Sequence, residues 1–311
     1  MDKLMAFTKC AKRSLTVLLL VLTFAPAHSA EHPQQSAQPE DPAWLKEFVH
    51  KRIVYSLPGM ERVKTRKDIT YKRAASEELK MDLYSPASAQ NGARHAAVIF
   101  IHGGRIPPNL RTKPKDWAVY VSFGQLVAAS GFVGVTFNHR FYTWDSLSDS
   151  QSDLMDLIAY IRNNADSLGV DKDRIILWAV SAGGIFLSQP LRDTPPYIRC
   201  LVAYYSELDL QDSRKQAPAS VTDETLREYS PLYHLSKNKK GTPPIFVARA
   251  GLDDPGLNAG LDRFVQTALA NNLTIDLANH AAGHHGFDIE DDNDRSREII
   301  KRTLEFIKAH N

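Results

Sequence analysis

Short apolar runs recur along this chain, and most are apolar at consecutive positions rather than alternate ones. They are AVIFIHGG at 97–104, GFVGVTFNHR at 131–140, RIILWAV at 174–180, RCLVAYYS at 199–206, PPIFVARAG at 243–251 and LTIDLAN at 273–279. Strands of that composition are covered on both faces, as in a sheet with helices on each side. Between the runs the spacing becomes helical. Leu154, Leu157, Ile158 and Ile161 follow i, i+3, i+4, i+7, as do Leu261, Phe264, Val265 and Ala268, and Ile300, Leu304 and Ile307 repeat the stripe. The alternation predicts a mainly parallel sheet with right-handed crossovers in a single α/β domain. Upstream, VKTRKDITYK and LKMDLYSP alternate polar and apolar residues and predict antiparallel strands at one edge. The chain shows no internal repeat.

The amino end does not fit this rhythm. Residues 1–29 carry Lys3, Lys9, Lys12 and Arg13, then an apolar run from Leu15 to Phe24, then small residues, which is the layout of a secretory signal peptide. The run is short for a bilayer span. The expectation is therefore a secreted or periplasmic protein with no integral membrane span in its mature chain. Residues 30–43, rich in Pro, Gln and Glu, read as a flexible lead-in, and the folded domain as 44–311.

Removal of the signal takes four of the 38 basic and one of the 36 acidic residues, leaving 34 against 35. A nearly neutral chain gives no electrostatic reason to expect nucleic acid as a partner. Cys10 leaves with the signal and Cys200 stays behind in an apolar strand, so no internal disulfide is expected and the thiol reads as an inert core group.

Candidate chemistry sits where the strands end. In RIILWAVSAGG the strand stops near Val180 and Ser181 occupies a sharp turn, with Ala182, Gly183 and Gly184 small enough for a helix to pass close to the strand. This is a G-x-S-x-G elbow with Ala179 in place of the first glycine. The start of the helix offers free N–H groups and the positive end of a dipole, both suited to an oxyanion. The run VIFIHGG ends at His102, Gly103 and Gly104, where backbone N–H groups of Gly103 and Gly104 could join Ala182 as further oxyanion donors. Downstream, LDDP offers Asp253 or Asp254 as an acid, and NHAAGHHGFD offers His284 or His285 as a base. The order Ser, Asp, His differs from that of chymotrypsin-type and subtilisin-type enzymes.

From KMDLYSPA through IHGG, GVTFNHR, VSAGG and ARAGLDD to GHHGFD, the chain resembles the α/β-hydrolases of the esterase/lipase, dienelactone-hydrolase-like group. The resemblance implies that fold, a carboxylic ester hydrolase activity and a Ser181, Asp253, His285 triad. It selects His285 because the base precedes GF, and Asp253 because the acid follows the glycine by two. It also implies a small-molecule ester substrate and no cofactor or metal. His280 and His284 are four apart in strand and loop, a poor arrangement for a metal. Residues 207–240 interrupt the rhythm and read as a small cap insertion; 106–117 read as a second wall, and Tyr142 and Trp144 as aromatics near the mouth or packing the loop. Both segments are polar and modest in length, which favours a small or carbohydrate-linked ester. A peptidase of prolyl-oligopeptidase type and a non-catalytic binding protein on the same fold are the competing readings.

Overall fold

Each apolar run becomes a strand, because a segment apolar on both faces is satisfied only between two covering layers. The structure, a computed structural model, describes residues 43–74, 77–88, 92–237 and 241–311. The expected signal peptide (1–29) and all but the last residue of the expected lead-in (30–43) lie outside the described residues. The first half runs α1 (Ala43–Phe48), β1 (Lys64–Arg73), β2 (Glu78–Ser85), β3 (His95–Ile101), α2 (Ala118–Ala129), β4 (Val133–Phe137), α3 (Leu147–Asn163), α4 (Ala165–Leu168) and β5 (Val170–Val180). The second half runs α5 (Ser188–Asp193), β6 (Ile198–Tyr204), α6 (Asp223–Glu228), α7 (Pro231–Lys237), β7 (Ile245–Ala250), α8 (Pro255–Ala270), β8 (Ile275–His280), α9 (Phe287–Glu290) and α10 (Asp294–His310).

The eight strands form one sheet in the order β1-β2-β4-β3-β5-β6-β7-β8. The pairings β1/β2 and β2/β4 are antiparallel and the other five are parallel, so the polar alternation of the first two strands marks the antiparallel edge. The opposite edge departs from the sequence pattern. LTIDLAN reads as a covered strand, yet β8 is the outermost strand and Leu277 is 40% exposed.

Successive side chains of each strand enter opposite layers. Ile99, Ile101, Leu177, Ala179, Leu201 and Ala203 pack with the stripes of α3 and α8. Val98, Phe100, Ile176, Trp178, Val202 and Tyr204 pack with α2 and α10. Trp178 and Phe100 have ring centroids 5.4 Å apart, and Trp178 also meets Phe123 of α2 and Tyr204 of β6. Each fully buried large side chain contributes about 1.5–3 kcal/mol. Cys200 is buried in this second layer, where burial pushes its thiol up to about 12. Among the described residues no helix is long and apolar enough to cross a membrane.

One charged cluster ties the antiparallel edge to a helix. Asp153 of α3 is fully buried, accepts two bonds from the Arg140 guanidinium at 2.8 and 2.9 Å, and pairs with Lys72 of β1 at 2.8 Å. This carboxylate holds the segment after β4 against α3, and Asp153→Ala would leave two cations with a vacated anion site. Stability is expected to fall by about 3–5 kcal/mol in denaturant unfolding; a loss under about 1 kcal/mol would show the cluster to be ornamental.

Candidate active site

The parallel strands share a direction, so their carboxyl ends deliver their loops to one rim of the sheet. At the end of β5, Ser181 has φ 52°, a left-handed conformation uncommon for a residue with a side chain. The chain then runs as a 3-10 segment, Ser181–Leu187, before α5, where the sequence predicts an ordinary helix from the elbow onward. The tighter coil fits a narrow passage. A Cβ on Gly183 would lie 2.6 Å from the Ile101 carbonyl oxygen, and one on Gly184 would lie 2.6 Å from the Ser206 Cβ. The two glycines let the segment pass between the ends of β3 and β6. The Glu207 N–H donates to the Ser181 carbonyl at 3.1 Å and holds the turn from the β6 side.

The loops after β7 and β8 are joined in the same way. The Gly251 N–H donates to the His280 carbonyl at 2.8 Å and the Leu252 N–H to the Gly283 carbonyl at 2.9 Å. A Cβ on Gly251 would fall 2.2 Å from the Ala281 oxygen, so only glycine permits the approach. These bonds fix the two loops in register. His285 Nδ1 lies 2.7 Å from Asp253 Oδ2, and its Nε2 lies 3.0 Å from Ser181 Oγ. The Asp253 side chain is 6% exposed while that of His285 is 44% exposed, so the carboxylate is shielded and the imidazole faces the open side. An ionised Asp253 accepts from Nδ1–H, which leaves Nε2 free to accept the Ser181 hydroxyl proton.

The paired candidates separate cleanly. Asp254 is the N-cap of α8 and accepts from the N–H groups of Gly256 and Leu257 at 2.8 and 3.0 Å. His284 turns away to Asp291, with Nδ1 2.9 Å from Oδ1. His280 is buried against Ser296 and Asn293, and the described residues contain no group of side chains able to hold a metal.

Gly103 and Gly104 border the same cavity as Ser181. Gly104 donates to no acceptor among the described residues, and Ala182 sits in the first turn of its segment, where N–H groups have no partner in the coil. Beneath this loop His102 stacks on His139 with centroids 3.7 Å apart and planes 9° apart. Burial holds both imidazoles far below their ordinary range, His139 at about 3, so they are neutral supports of the loop.

Beside Ser181 lies a cavity of about 220 Å³. Its walls include Phe48, Ile106, Trp117, Tyr120, Tyr205 and Ile289. Thus 106–117 does supply a wall. None of the described residues of the expected cap, 207–240, is in this lining; Leu210, Val221, Leu226 and Leu235 are drawn into the core on the α8 side. Tyr142 and Trp144 also lie off the cavity; Tyr142 donates to Glu77 at 2.7 Å, and Trp144 lies under the Arg105 guanidinium, 4.9 Å from its ring centroid. A larger cavity of about 710 Å³, lined by Arg214, Arg227 and Tyr233 among others, is remote from Ser181 in lining and composition.

Residues 81–188 match the family model BD-FAE. No curated protein matches the chain in sequence. Among solved structures, a thermophilic esterase from the Planctomycetes species Thermogutta terrifontis, Est2, is similar in its propionate-bound form, with a TM-score of 0.65 and 19% identity over 81% of this chain and 96% of that one. Its butyrate-bound form gives 0.64 and 19% over 81% and 95%. The same organism's esterase 2 phosphorylated by paraoxon gives 0.61 and 20% over 79% and 92%. The chain has the α/β-hydrolase fold.

On this α/β-hydrolase frame several site residues carry no sequence signal of their own. Phe48 comes from α1, far upstream of any motif. Tyr205 and Asp288 pack behind His285 from separate segments. Glu207 sits beside the elbow, where burial raises its carboxyl pKa against the opposing pull of Arg105 and His285. The capping role of Asp254 is directly testable. Asp254→Ala is expected to cost about 1 kcal/mol, or a few degrees in thermal melting, and an unchanged melting temperature would refute that role.

Proposed function

We propose that this protein is a serine carboxylic ester hydrolase that works through an acyl-enzyme on Ser181. One observation carries the reading: the continuous chain Asp253, His285, Ser181, at 2.7 and 3.0 Å, with the serine raised on a left-handed elbow. His285 Nε2 takes the Ser181 proton as Oγ attacks the ester carbonyl, and the imidazolium that forms is stabilised and oriented by Asp253. Negative charge on the carbonyl oxygen falls to the N–H groups of Gly104 and Ala182, with Gly103 shaping the loop between them. His285 then protonates the leaving alcohol. Water, activated by the same imidazole, releases the acid.

The walls of the cavity favour a short apolar acyl group, or a small ester in general. The likeness to an esterase with propionate or butyrate bound supports that choice. The alcohol would then lie away from these apolar walls, as a polar or carbohydrate group. A secreted or periplasmic location belongs to the same proposal and rests on residues 1–29; fractionation of cells producing the full chain tests it.

Hydrolysis of p-nitrophenyl acetate, butyrate, octanoate and dodecanoate is expected to give the highest kcat/KM at the short chains, falling about tenfold or more by dodecanoate. Flat or rising values along the series would exclude a short acyl pocket. In the same assay Ser181→Ala and His285→Gln are expected to lose at least about a thousandfold in turnover. Asp253→Asn should lose about as much by favouring the wrong tautomer, whereas Asp254→Ala and His284→Gln stay near the unmodified rate at matched folded concentration. A severe Asp254→Ala beside a normal Asp253→Asn would reassign the acid.

A further inference from the structure

Joined to the His285 imidazole through the Tyr205 side chain stands a second carboxylate that the proposed reaction does not use. Asp288 is fully buried, and its Oδ1 accepts a bond from the Tyr205 hydroxyl at 2.6 Å, while its Oδ2 has no hydrogen-bond partner among the described residues. The Tyr205 ring in turn packs on the His285 imidazole, with centroids 4.7 Å apart. Tyr205 itself has φ 35°. For a bulky aromatic residue that is a strained backbone, of order 1–3 kcal/mol, and it persists only where the surroundings impose it. Those surroundings are identifiable. The Tyr205 N–H donates to the Ala248 carbonyl at 2.7 Å, the hydroxyl is tied to Asp288, and the ring meets Phe287 edge-on at 5.6 Å. A buried half-satisfied carboxylate and a strained tyrosine, converging on one imidazole, are costly features that core packing does not require.

Resting on the hydrolase reading above, we propose that Tyr205 and Asp288 are positioning residues for His285. The Tyr205 ring is the wall that keeps the imidazole in line between Asp253 and Ser181, and the Asp288 carboxylate fixes that wall while adding a negative charge behind the base. The titratable and charged groups facing Asp288 are Tyr204 and Tyr205 from the end of β6, Tyr120 from α2, His285 from the preceding loop and Glu290 from its own helix. Glu290 is engaged with Lys51 at 2.8 Å. Burial pushes the Asp288 carboxyl up to about 6, against the opposing effects of the Tyr205 hydroxyl and His285. The carboxylate is therefore charged across the alkaline half of the working range and neutral below it. While charged, it favours the imidazolium that forms on His285 as Ser181 gives up its proton.

The test is the pH profile of p-nitrophenyl butyrate hydrolysis by Tyr205→Phe and Asp288→Asn, at folded concentrations matched by circular dichroism and thermal melting. Tyr205→Phe removes one oxygen and keeps the ring; kcat is expected to fall about tenfold with KM changed by less than about twofold. Asp288→Asn keeps the shape and removes the charge; at pH 8, where the carboxylate is ionised, kcat is expected to fall about threefold or more with KM changed by less than about twofold. A purely structural role would lower the melting temperature and leave both readouts where they are. Failure of either folded variant to give its own readout overturns the inference, and Tyr205→Phe decides alone if Asp288→Asn does not fold. Turnover by the unmodified protein and its loss in Ser181→Ala are the controls: absence of turnover sinks the hydrolase reading, whereas normal turnover with unmoved variants sinks only the positioning role.

Discussion

The geometry of this molecule hangs on the turn at Ser181. A serine does not choose φ 52° unaided, and the strain of order 1 kcal/mol or more has to be met by contacts around it. Those contacts come from three strands at once. β5 delivers the residue, β3 presents the Ile101 carbonyl against Gly183, and β6 presents Ser206 against Gly184 while the Glu207 N–H holds the Ser181 carbonyl. A parallel sheet brings these three strand ends to one rim, so the elbow follows from the sheet order β3-β5-β6 and not from local preference alone. The neutral His102–His139 stack extends the same logic to the neighbouring glycine loop, which rests on imidazoles kept uncharged by burial.

Much of this was legible in the chain, for physical reasons that can be named. Strands apolar at consecutive residues, such as 97–101 and 175–180, announce coverage on both faces, and α3 and α8 show the stripes that cover one of them. The small residues around Ser181 announce a close passage because nothing larger fits. The order of serine, acid and histidine follows from which strand ends share a rim. Other parts were hidden. Residues 207–240 look like a lid by interruption of rhythm, but whether such an insertion covers a site depends on where its leucines find a core, and these find it beside α8. The true walls, Phe48 and Ile289, come from segments more than 200 residues apart in sequence, with no pattern linking them. The choice between Asp253 and Asp254 likewise turns on one helix N-terminus that claims the second carboxylate as its cap.

The site has two unlike sides. Toward α1, α2 and α9 the cavity is of limited volume and lined mostly by apolar side chains; beside the elbow lies the half-buried Glu207 carboxyl, under the pull of Arg105 and His285. Under the proposed hydrolase reading, an ester laid across Ser181 would set its acyl group against the apolar walls. The imidazole has its Asp253 partner shielded and its ring packed by Tyr205.

The central claim is that Ser181 is a nucleophile activated by His285, and covalent capture tests it most directly. The protein would be treated with a small excess of paraoxon, then measured by intact mass and peptide mapping. The expected result is a single phosphoryl adduct on Ser181, absent in Ser181→Ala and formed at least about a hundredfold more slowly in His285→Gln. An unmodified protein, or an adduct on another residue that forms at the same rate in both variants, would contradict it.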